Sequence, residues 1–250
     1  MARKLTSAQQ AKRDAKRERR AEARTEPEAA PRALTFGEVI RNRNLVWSTS
    51  KATRTLIRDT EAYTREAAKV SLQVVSCFDC NATKACCSVV VGAYFHEVVP
   101  IVDRLRKEGR DTPELRAELA AAADEMETRS PDEYRRPCAL LDAQERCTVY
   151  DQRPAECGTT FVSSPAMQCS DPDASVQKYL PPYRARSQEA ERVFESEARL
   201  IPLRGPYVGA LPRMVLLCLE AWDRSDYAQF LAEQIPIVAQ RAIAAVARRT

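Results

Sequence analysis

Two groups of cysteines constrain this chain more than any other feature. The first is C-x2-C-x5-C-C, formed by Cys77, Cys80, Cys86 and Cys87. The second is C-x8-C-x9-C-x11-C, formed by Cys138, Cys147, Cys157 and Cys169. The short C-x2-C spacing lets two thiolates converge on one metal while backbone N–H groups between them point at sulfur. Adjacent side chains diverge, so Cys86 and Cys87 are expected to serve two centres, or a polynuclear cluster and a further role. Eight thiols suffice for two four-thiolate sites, or for one iron–sulfur cluster and four thiols with other tasks.

The surrounding sequence bears on which use is chemically open. Residues 2–20, ARKLTSAQQAKRDAKRERR, lack the apolar stretch of a signal peptide. The best apolar run, SVVVGAYFHEVVPIV, is interrupted by His96, Glu97 and Pro100 and is too short to span a bilayer. A cytoplasmic chain is therefore expected, and reducing conditions favour metal binding or catalysis over a disulfide framework. The single histidine, His96, removes histidine-rich zinc sites and cysteine–histidine proteases from consideration. Neither G-x-G-x-x-G nor G-x-x-x-x-G-K-[ST] is present, so a nucleotide-binding fold has no motif support.

The formal charge is +4, but it is unevenly placed. Residues 1–33 contain ten Lys or Arg and five Asp or Glu, with no aromatic residue. This stretch cannot bury a core and reads as a disordered basic tail. The remaining chain, 34–250, reads as a single metal-binding domain that is close to neutral. Nucleic-acid binding is accordingly expected only weakly, through the tail.

The fold class expected is mainly α, with an irregular cysteine-rich metal-binding core and a short β-hairpin. A helix is expected over residues 52–76. SVVVGAYFHEVVPIVDRLRKEG should begin as strand and continue as helix to Gly109. TPELRAELAAAADEMETRS has Thr112 to cap a helix, Pro113 in its first turn and Glu114 at the positive end of its dipole. CALLDAQERC has the pattern of a hairpin, and CTVYDQRPAEC that of strand, turn and helical start, with Pro154 suited to a first turn. The cysteine core spans about residues 74–170, and C-terminal helices about 186–248. Among these, SQEAERVFESEARL, LPRMVLLCLEAW and a long segment kinked or split at Pro236 read as helical.

Candidate metal ligands are Cys77, Cys80, Cys86, Cys87, Cys138, Cys147, Cys157 and Cys169. Cys218 lies in an apolar helix and is assigned to the core. Arg153 is a candidate cation to offset the charge of a thiolate-bound metal. His96 is read as incidental to the cluster.

CFDCNATKACC, a helical insert and then CALLDAQERCTVYDQRPAEC together resemble the YkgJ-type cysteine-cluster family, described as a zinc- or iron-chelating domain. The features matched are the C-x2-C and Cys-Cys elements, the Cys-then-Leu opening at Cys138, the C-x-x-Y-x-x-R-P-x-x-C run from Cys147 to Cys157, and Cys169. The resemblance covers about residues 74–170 and implies a metal or iron–sulfur binder. A similar cysteine arrangement in flagellin lysine methylases makes methyl transfer a distant analogy. One departure is Gly158, where the family commonly has Arg.

Three readings follow. The first is a binding module holding an iron–sulfur cluster, [4Fe–4S] in type, or zinc. The second is an enzyme using an iron–sulfur cluster for redox or group transfer. The third is an interaction protein with purely structural zinc. Cysteine-only ligation suits both metals, and the vicinal pair tilts the expectation toward iron–sulfur. No catalytic residue, substrate, redox partner or protein partner can be named from the residues alone.

Overall fold

The computed structural model describes residues 7, 12–16, 32–71, 75–79, 85–131, 133–171, 173–179, 192 and 207–247. The chain divides into two units, Met1–Leu34 and Thr35–Thr250. In the first, residues 12–16 are helical and exposed. Of the expected helix over SQEAERVFESEARL only Arg192 is described, and it is helical; the ligand candidate Cys80 lies outside the described residues.

The second unit is mainly helical. Helix α1 (Phe36–Asn42) opens on a capping box. The Glu38 amide donates to Thr35 Oγ1 at 3.4 Å, and the Thr35 amide donates to Glu38 Oε2 at 2.8 Å, so two otherwise orphaned donors are satisfied. Asn44 then turns the chain with a φ of 53°, a conformation that asparagine tolerates better than most residues.

Helix α2 (Leu45–Ser71) starts well before the expected boundary and runs for 27 residues. Its inward face carries Thr49, Thr60 and Thr64 beside Leu56 and Ile57. The Thr49 and Thr64 hydroxyls each donate to the carbonyl four residues back, at 2.7 Å. Those bonds let polar side chains occupy a buried surface without loss of pairing.

Strand β1 (Gly92–Tyr94) leads directly into α3 (Phe95–Lys107), which is buried along most of its length. Gly109, at a φ of +66°, stops α3 where a side chain would be strained. Helix α4 (Pro113–Thr128) follows, and the Thr112 hydroxyl accepts the Leu115 amide as the cap expected there. Within the second cysteine region lie α5 (Ala155–Thr159) and β2 (Phe161–Val162), and after it come β3 (Lys178–Tyr179) and β4 (Val208–Ala210). Helices α6 (Leu211–Trp222) and α7 (Tyr227–Ala247) complete the unit. Helix α7 continues through Pro236, so of the kink or split expected there the split does not occur.

The core forms where α6 packs against α3, α4 and α7, with α2 crossing α3 and α5. Phe36, Phe95, Trp222 and Tyr227 meet there, with ring centroids 5.2–6.1 Å apart around Phe36. Two antiparallel ladders tie distant segments together. Gly92, Ala93 and Tyr94 of β1 oppose Ala210, Gly209 and Val208 of β4. Phe161 and Val162 of β2 oppose Tyr179 and Lys178 of β3. Among the described residues, no helix is long and apolar enough to cross a membrane.

Candidate metal centre

Of the first cysteine group, Cys77 lies in one single turn of 3₁₀ helix, Ser76–Asp79, and Cys86 and Cys87 in another, Ala85–Ser88. Their irregularity follows from sequence: cysteine and asparagine are poor helix formers, and the stretch has no apolar stripe to bury. The second group is equally irregular. The expected 138–147 hairpin is reduced to a single bridge between Leu141 and Cys147. Asp142 holds its turn, accepting the amides of Gln144 and Arg146 and pairing with the Arg146 guanidinium. The segment expected as strand after Cys147 is instead a 3₁₀ turn, Tyr150–Gln152, and Pro154 precedes α5 as its cap residue. Side-chain hydrogen bonding by Asp142, and prolines that break regular pairing, displace the strand geometry that β-branched neighbours would favour.

These loops bring the two groups together. The Cys138 amide donates to the Cys87 carbonyl at 2.7 Å, joining them through the backbone. Cys87 feels the charges of Cys138 and Cys147, and Cys157 feels those of Cys138 and Cys147 as well. Five thiols, Cys86, Cys87, Cys138, Cys147 and Cys157, thus share one neighbourhood. Cys169 sits in the 3₁₀ turn Ala166–Ser170, which packs on the turn holding Cys86 and Cys87. Cys77 is anchored elsewhere. Its sulfur accepts the Val162 amide at 3.2 Å, while Phe78 stacks on Phe161 at 5.2 Å beneath the Arg65 guanidinium.

The electrostatics raise most of these thiols above the ordinary range and lower one, Cys86. Burial pushes the Cys138 and Cys147 thiols up, while the amides of Leu140 and Val149, each two residues further on, donate to their sulfurs and pull the other way. Burial, and then the charge of Cys138, push Cys157 well above the ordinary thiol range. Cys86 and Cys87 form a coupled pair. The Cys87 thiol donates to the Cys86 sulfur, holding Cys86 below the usual range, with Arg153 adding to that effect. The shared proton raises Cys87. Arg153 lies flat over the Tyr150 ring at 4.2 Å. It faces Cys86 and Cys147, and Arg104 and Arg110 also act on Cys147. These cations and N–H donors are what a thiolate-bound metal needs to offset its negative charge.

The donor chemistry therefore fits zinc or iron. Among the described residues, however, no three Cys, His, Asp or Glu side chains stand close enough to hold one ion as placed.

Two residues that sequence reading passed over hold this region in place. Glu97 is buried, and its Oε1 accepts the Ala155 amide at 2.7 Å while Oε2 accepts the Tyr94 amide at 2.9 Å. Glu156 returns the link by accepting the amide of Gly92. The two carboxylates join β1, just beyond Cys86 and Cys87, to α5, which carries Cys157. A glutamate at the third helical position is a recognisable capping signal, but its second bond, to Ala155, has no local trace in the sequence.

Gly158 also acquires a reason. A Cβ at this position would lie 2.7 Å from Ile57 side-chain atoms, so α5 and α2 approach closely only with glycine here. His96 is buried and stacks on Tyr94, 5.9 Å between centroids. Cys218 is fully buried in α6, where burial alone raises its thiol.

Residues 76–179 match the family model described as "CxxCxxCC: Putative zinc- or iron-chelating domain". No curated protein and no solved structure matches the chain. The matched segment is less than half of the chain and holds every cysteine except Cys218. Over residues 76–179, then, this chain is similar to the CxxCxxCC family, described as a zinc- or iron-chelating cysteine domain.

Proposed function

We propose that this protein is a cytoplasmic metal-binding module that holds an iron–sulfur cluster, in preference to zinc, through cysteine thiolates. The single observation that supports this reading is the thiol neighbourhood built from both groups, in which the Cys138 amide bonds the Cys87 carbonyl and Cys138 and Cys147 act on both Cys87 and Cys157. Ligands would come from Cys86, Cys87, Cys138, Cys147, Cys157 and Cys169, with Cys77 and Cys80 completing the sequence-defined set. A vicinal pair within a thiol-rich pocket suits a centre with several metal atoms better than one tetrahedral ion, because neighbouring side chains diverge. When bound, such a cluster supplies electron transfer or a Lewis-acidic iron. The chain's own residues do the rest: N–H groups of Leu140 and Val149 steady the sulfurs, and Arg153 offsets negative charge.

The test is metal and acid-labile sulfide analysis of protein purified without oxygen, with a visible spectrum on the same sample. About four iron and four sulfide with a broad thiolate-to-iron absorption support the cluster. One or two zinc per chain without colour would replace this reading with a structural zinc domain.

A further inference from the structure

The exposed face of the N-terminal half of α2 carries a second feature. Trp47, Lys51, Arg54 and Arg58 follow one another at spacings of four, three and four residues, which places them in one line along the helix. All four are exposed, and Trp47 retains 55% of its surface. The Lys51 ammonium sits 4.7 Å from the Trp47 ring centroid. Arg58 pairs with its neighbour Asp59, whereas Lys51 and Arg54 make no ion pair among the described residues. Arg43, in the turn before α2, is exposed and likewise makes none. The line from Trp47 to Arg58 is about 16 Å long at the helical rise.

No acidic residue occurs between Glu38 and Asp59. Residues 35–58 hold five Lys or Arg against one Glu, so the rest of a folded unit that is close to neutral is net acidic. Averaging charge over the folded body hides this asymmetry, which is the footprint of a surface for polyanions. An exposed indole in line with unpaired cations matches single-stranded nucleic acid, whose bases stack on aromatic rings while phosphates meet Lys and Arg. A lipid surface fits less well: an interfacial helix must offer lipid a broad apolar face, and Leu45, Leu56 and Ile57 of α2 are buried in the protein.

We propose that the Trp47–Lys51–Arg54 face of α2 is a docking surface for single-stranded nucleic acid. It stands apart from the metal reading and does not depend on it.

The probe is a fluorescein-labelled oligouridylate of about 16 nucleotides, titrated with the full chain by anisotropy at about 50 and 200 mM salt. Three proteins are compared: the parent, Lys51→Ala/Arg54→Ala, and Trp47→Ala, all with the basic N-terminal stretch intact. Circular dichroism and metal content verify that each variant is folded. The double variant is expected to bind roughly ten-fold more weakly at low salt. Its log–log salt slope should shrink by about 1.4, the loss of two phosphate contacts on a single strand. Trp47→Ala should lose about ten-fold. The oligonucleotide should quench parent tryptophan fluorescence, a change that reports Trp47 because Trp222 is buried. Unchanged affinity in the double variant would overturn the proposal, since binding would then reside in residues 1–33. No binding at low salt would overturn it too, as would equal, equally variant-sensitive binding to polyglutamate or anionic vesicles.

Discussion

The Glu97 carboxylate accepts a hydrogen bond from the Ala155 amide at 2.7 Å, across 58 residues of sequence. It is the link that sets the helix bearing Cys157 against the strand that follows Cys86 and Cys87. A buried carboxylate is costly unless both oxygens are satisfied, and here each takes a backbone donor. Glu97→Ala strands both amides and should destabilise the fold by about 2–4 kcal/mol in urea denaturation. Glu97→Gln retains an acceptor for one amide and should cost less. Both variants should bind less metal than the parent; full metal content in Glu97→Ala would remove Glu97 from any role in placing Cys157.

Gly158 makes a packing prediction. Gly158→Ala introduces a methyl 2.7 Å from Ile57 side-chain atoms, so one of the two helices or the Ile57 side chain must shift. The expected loss is about 1–3 kcal/mol. Ile57→Ala in the same chain should recover part of it, so a double-mutant cycle should show coupling of about 1 kcal/mol. Additive effects would mean the two helices separate freely.

The cysteine assignments separate by substitution. Cys147→Ser should lower bound metal, because Cys147 lies among the thiols that act on Cys87 and Cys157. Cys218→Ala should leave metal content unchanged, since Cys218 is fully buried in α6 among apolar side chains. Equal metal loss in both would sink the division between ligand and core cysteines.

Metal affinity should rise with pH. Cys138, Cys147 and Cys157 have thiols raised by burial, so they are protonated near neutrality and binding must displace those protons. Affinity should climb about ten-fold per pH unit for each proton released. Titration of the metal-free protein in weakly buffered solution, following proton release on addition of zinc, gives that number directly. Release of no proton would show that thiolates are already formed.

Asp111 sets an acid limit on stability. Arg116, then Arg106, hold its carboxyl below the usual range by hydrogen bonding, and the side chain is only 7% exposed. A carboxyl whose folded pKa lies below its unfolded value stabilises the fold above the ordinary carboxylate range. That contribution fades as pH falls through the folded value. Asp111→Asn should lose about 2 kcal/mol at neutral pH and should flatten the decline in stability below pH about 4. A variant with the parent's acid profile would place that decline on other carboxylates.

Sequence alone carried the parts of this protein that depend on local patterns. The Thr112 cap, the Gly109 stop and the apolar run of α6 are legible because capping, left-handed turns and helical periodicity act within a few residues. The cysteine spacing was legible for the same reason, and so was the family it marks. What tertiary structure decided lies between segments far apart in the chain. Leu140, Asp142 and Cys147 yielded one bridge in place of a hairpin because Asp142 took the turn amides for itself. Glu97 looked like a mere neighbour of His96 until folding set Ala155 against it. Gly158 looked like a missing arginine until Ile57 occupied its space. Hydrogen bonds and close packing across such distances leave no periodic trace, because their partners are chosen by how the helices cross.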